Sequence, residues 1–72
     1  MEKQNVGIAD KPLLMAVKSL TTDFKLQLED GSWQKIISIE KGFFNNSKLI
    51  TYKDGRWSCL LDNDKTEALY CH

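Results

Sequence analysis

The chain has 72 residues and a mass of 8.3 kDa, with 42% hydrophobic and 28% charged residues, a balance too apolar and too evenly charged for a disordered segment. So short a chain buries only about 60% of the surface it exposes when unfolded, which excludes a second core. Ten basic residues offset ten acidic ones and Arg56 is the only arginine, which excludes a global positive field and leaves few planar forks for bidentate phosphate contacts.

Residues 1–12 are polar, carry Gly7 and Pro12 and show no sustained periodicity. They read as a flexible N-terminal arm, followed by a single β-rich domain over 13–72. No apolar h-region opens the chain, and the longest uncharged apolar run, Leu13 to Val17, is far short of the roughly 20 residues of a membrane span. A cytoplasmic protein without membrane contact is expected, with Cys59 and Cys71 as reduced thiols.

From Leu13 to Leu20 two patterns compete. Leu13, Met15 and Val17 alternate as in a strand, whereas Leu13, Ala16, Val17 and Leu20 have helix spacing. The strand is favoured because the segment runs directly into a second one; a short helix at 13–20 would give an α+β fold instead.

Phe24 to Glu29 alternates apolar and polar residues and ends at Asp30-Gly31, a dipeptide suited to a two-residue hairpin turn. Such a turn pairs Leu28 with Trp33, Leu26 with Lys35 and Phe24 with Ile37, giving one apolar face. The same arrangement recurs 24 residues on: Leu49 to Lys53 leads through Asp54-Gly55 into Arg56 to Leu61, pairing Tyr52 with Trp57, Ile50 with Cys59 and Leu49 with Leu60. Between the hairpins lies a turn-rich connection, Glu40 to Ser47, that holds Phe43 and Phe44 side by side. Asp62-Asn63-Asp64 reads as a turn or helix cap and Lys65 to Cys71 as a short terminal helix or strand. The fold expected from these elements is mainly β: four or five antiparallel strands, with two Asp-Gly hairpins, forming a curled meander or an SH3-like open barrel.

Candidate chemistry is sparse. The only histidine is the terminal His72, without the neighbour that orients a general base, so an enzyme is not expected. Cys59, Cys71 and His72 fit no common zinc spacing, and Asp62 to Glu67 lacks the glycine and the distal glutamate of a calcium loop; neither metal nor cofactor is expected. Lys41-Gly42-Phe43 resembles the opening of the cold-shock RNA-binding motif, in which strand aromatics stack bases, although the likeness ends after Phe43. With Lys35, Lys41, Lys48, Lys53 and Arg56 near aromatic positions, it implies an alternative function in binding single-stranded RNA or DNA.

The leading expectation is a small non-enzymatic protein-binding module that inhibits or regulates a larger protein, of the kind that phages and mobile elements encode. Tryptophan and tyrosine concentrate binding energy at interfaces, and an exposed apolar pair in a projecting loop is a ready anchor for a partner. The candidate partner-binding residues are Phe43 and Phe44 in the inter-hairpin loop, with Tyr52 and Arg56 beside them. Edge strands offer a further route, to a partner's strand or to a homodimer.

Overall fold

A computed structural model of the chain describes residues 11–71; residues 1–10 and 72, and with them most of the expected 1–12 arm and His72, lie outside the described residues. Six strands follow in order: β1 (Leu13–Ala16), β2 (Phe24–Gln27), β3 (Trp33–Lys41), β4 (Ser47–Tyr52), β5 (Trp57–Leu61) and β6 (Lys65–Tyr70). The only helical piece among the described residues is one 3-10 turn, Val17–Ser19. The expected mainly β class holds. Both ambiguous segments, 13–16 and 65–70, are strands, so the sheet has six rather than four or five, and the alternative helix at 13–20 shrinks to that single turn.

All strand pairs are antiparallel, in the order β1-β6-β2-β3-β4-β5. β2 to β5 form a meander, and β6 returns to lie between β1 and β2. The tight Leu61 to Lys65 connection forces the sheet to curl, because it joins the edge strand β5 to a strand near the opposite edge. Backbone bonds fasten this corner: Val17 N–H donates to Asp64 C=O at 2.9 Å and Lys18 N–H to Asp62 C=O at 3.2 Å.

Each Asp-Gly dipeptide reverses the chain, but within a three-residue loop. Gly31 N–H donates to Leu28 C=O at 2.9 Å and Leu28 N–H to Ser32 C=O at 2.8 Å; Gly55 N–H donates to Tyr52 C=O at 2.9 Å and Tyr52 N–H to Arg56 C=O at 2.8 Å. A two-residue type I′ turn needs positive φ at both central residues, whereas a type I turn followed by a left-handed glycine needs it only at the glycine. Gly31 (φ 87°) and Gly55 (φ 96°) have positive φ, and Asp30 and Asp54 do not. Their carboxylates instead accept from the backbone N–H two residues on, at Ser32 (3.0 Å) and Arg56 (2.9 Å).

The added loop residue shifts both registers by one. Trp33 lies across from Gln27 rather than Leu28, and Lys35 across from Lys25 rather than Leu26. Likewise Trp57 lies across from Thr51 rather than Tyr52, and Cys59 across from Leu49 rather than Ile50. Since side chains alternate, a one-residue shift exchanges faces. The core is therefore Val17, Leu20, Leu26, Ile36, Ile50, Tyr52 and Ala68, with Met15, Phe24, Leu28, Ile39 and Leu60 packed against it. Ile37, expected opposite Phe24, is the extra residue of a bulge between Ile36 and Ser38. It is 53% exposed while Ile36 is fully buried.

Candidate functional site

The β3–β4 connection places two aromatic rings in solvent and holds them there. Ser47 is the buried polar residue at its base. Its Oγ accepts from Phe44 N–H at 3.0 Å and donates to Phe44 C=O at 2.6 Å, while Gly42 N–H donates to Ser47 C=O at 3.0 Å. Asn46 adopts φ 60°, a left-handed conformation that asparagine tolerates better than most residues. Gly42 is required for a different reason, close approach: a Cβ there would overlap Ser47 Oγ and lie 2.9 Å from Cys59 Sγ. This contact folds the loop back over the outer face of β4 and β5.

Phe43 consequently meets Trp57 edge to face, with ring centroids 5.6 Å apart at 89°. Phe43 and Phe44 are nevertheless 64% exposed and Trp57 59%. Ile37, at the β3 bulge, and Leu61 are also exposed, and strand alternation from Trp57 puts Leu61 on this outer face. The result is an apolar surface with two phenylalanines and a tryptophan on a hydrogen-bonded loop and a paired strand. Together with the outer edge of β5, which no strand pairs among the described residues, it forms a broad contact surface. Because Tyr52 and Arg56 form the bonded pair that closes the second hairpin, alternation directs the N–H and C=O of Trp57 and Cys59 away from β4.

The four expected site residues do not form one group. Phe43 lies on the outer face against Trp57, and Phe44 is exposed beside it in the same loop. Tyr52 is 2% exposed, a core residue, and its hydroxyl donates to Ser58 Oγ at 3.0 Å; burial pushes its phenol above the ordinary value, so it stays neutral. A surface role for Tyr52 is therefore corrected: on β4 it shares the parity of Ile50, which faces the core.

Arg56 sits at the hairpin tips. Its Nε donates to Asp54 Oδ2 at 2.6 Å, Nη1 to Asp30 Oδ2 at 3.2 Å and Nη2 to Ser32 Oγ at 3.3 Å. It thus ties the second turn to the first. The Ser32 N–H and hydroxyl, and then Arg56, hold the Asp30 carboxyl at about 2, against an ordinary 3.8. The Arg56 N–H, followed by its side chain, lowers Asp54 as well.

Behind this bridge, where the curled sheet stays open, lies a cleft of about 550 Å³. Leu26, Leu28, Tyr52 and Leu60 make its apolar walls, and Asp30 and Arg56 stand at the rim. Among the described residues no group of three potential metal-ligating side chains occurs.

Trp57, Ile37 and Leu61 were not among the expected site residues. The register that the Asp-Gly dipeptides suggested put Trp57 and Ile37 inside, and only the hydrogen bonds of the turns reverse that. Comparison with protein-family models, with curated proteins and with solved structures finds no match.

Proposed function

We propose that the chain is a small non-enzymatic protein-binding module whose outer β3–β5 face seats on a larger protein, as an inhibitor or regulator. The observation that carries this reading is the Phe43–Trp57 pair, in edge-to-face contact yet with each residue more than half exposed. Exposed aromatics on a mobile loop would lose much of their binding energy to ordering. Here the Ser47 bonds order the loop before any partner arrives, which lowers that cost. Contiguous apolar patches rimmed by polar groups mark interaction sites, and aromatic anchors dominate the energetics of such sites. The outward backbone groups of Trp57 and Cys59 add a strand edge to which a partner's extended segment could pair. A reducing, cytoplasmic setting belongs to the same reading and suits the free thiols of Cys59 and Cys71.

The test compares affinity capture from lysate of the source cell by the native chain and by a Phe43→Ser/Phe44→Ser variant. A protein retained by the first and lost by the second, with the variant still folded by circular dichroism, is the expected result. Equal retention by both would remove the outer face from the reading.

A further inference from the structure

On the other hairpin the shifted register does something different. Lys25 and Lys35 stand directly opposite each other on β2 and β3, an arrangement that like charges destabilise. Lys53 is brought alongside through its N–H, which donates to Lys35 C=O at 2.9 Å. None of the three forms an ion pair among the described residues, whereas Lys48 pairs with Asp62 at 3.1 Å and Arg56 with Asp54 and Asp30. Among the described residues Lys35 Nζ donates to the neutral Thr22 C=O, at 2.7 Å. The three lysines and the half-buried Trp33 surround a shallow hollow of about 370 Å³, with Gln34 and Cys71 completing it.

We propose that this hollow is a binding site for a single-stranded nucleic acid, in which the three lysines contact phosphates and Trp33 stacks on a base. Unpaired like charges gathered on one small surface are relieved by a polyanion, and an aromatic ring bordering them gives a base its platform. A poly-glutamate peptide would satisfy the charge but has no planar ring for Trp33. The site has its own residues, separate from the Phe43–Trp57 face, so each reading can fail without the other.

The experiment titrates a Trp57→Phe chain, in which Trp33 is the only tryptophan, with an oligothymidylate of about a dozen nucleotides, within the roughly 4–16 that a single OB fold covers, and with a poly-glutamate peptide of similar charge. Tryptophan emission is expected to be quenched by the oligonucleotide and left unchanged by the peptide. With about 0.7 counterions released per contact, three lysines give a slope of log K against log salt near −2, or roughly 20-fold weaker binding at 200 than at 50 mM. Lys35→Gln should bring that slope to about −1.4 while changing the melting temperature little, since the repulsion removed offsets the lost bond to Thr22 C=O. No quenching at low salt, or equal affinity for poly-glutamate, would overturn the proposal, and the latter result would assign the hollow to an acidic protein.

Discussion

The two hairpins carry the same turn and put it to different uses. In both, an aspartate side chain accepts the N–H two residues on, a left-handed glycine follows, and a tryptophan opens the second strand on the outer face. Yet Trp33 is half-buried among lysines, while Trp57 is largely exposed beside Phe43. The residue preceding each loop differs in the same way: Leu28 is partly buried, and its counterpart Tyr52 fills the core. Local turn chemistry is thus indifferent to what its neighbours do. The surroundings, namely the Gly42 loop over β5 and the lysines on β2 and β3, decide which ring is offered to a partner.

Removing the two counterparts is the severest way to test this comparison. Tyr52→Ala takes a large ring from the core and is expected to cost about 3–5 kcal/mol, whereas Leu28→Ala, only partly buried, should cost about 1–2 kcal/mol. Chemical denaturation of both variants measures the difference, and equal losses would mean the hairpins share the core evenly. Gly42→Ala comes next, at about 1–3 kcal/mol for overpacking, because the added methyl meets buried Ser47 and the strand beneath it. It should also displace Phe43 from Trp57, visible as a change in Trp57 emission.

Gly31→Ala and Gly55→Ala probe the shared part. Neither methyl would touch anything within 4 Å, so each substitution carries only the strain of a left-handed alanine, about 1–2 kcal/mol. The two costs should agree within error, and a marked inequality would show that the loops are not equivalent. Phe44→Ser, at an exposed position, should change stability by no more than about 0.5 kcal/mol.

The smallest effect is expected from acid. The folded-state values of Asp30 and Asp54 are depressed, so their contribution is complete above the ordinary 3.8 and is lost as pH falls; for Asp30 the loss runs down through about 2. Both groups are solvent-exposed, so a modest fall in melting temperature over that window is expected. Arg56→Gln should diminish the fall by removing the bond between the tips.

Much of the fold was legible in the residues. Alternation over 24–29 and the two Asp-Gly dipeptides located the hairpins, and Glu40 to Ser47 was readable as a connection presenting two phenylalanines, although β3 runs on through Lys41 and β4 begins at Ser47. The candidate surface was legible only in part. Asp-Gly suits both the two- and the three-residue loop, and the apolar pattern supported the wrong one because Trp33, Ile37 and Trp57 are apolar residues outside the core. The terminal segment 65–70 has too weak an alternation to distinguish strand from helix, and pairing with β1 and β2 on both sides makes it a strand.

What the amino-acid order by itself determined is local: which residues extend, where the chain turns, and that only glycine adopts the left-handed positions after each aspartate. These depend on sterics and hydrogen bonds within a few residues. The tertiary structure alone decided which side of each strand faces inward, because one residue in a loop exchanges the faces, and the choice is made by whichever set of side chains fills a common interior. Tyr52, Ile36 and Ile50 fill it together, and that packing leaves Trp57 and Phe43 to the solvent.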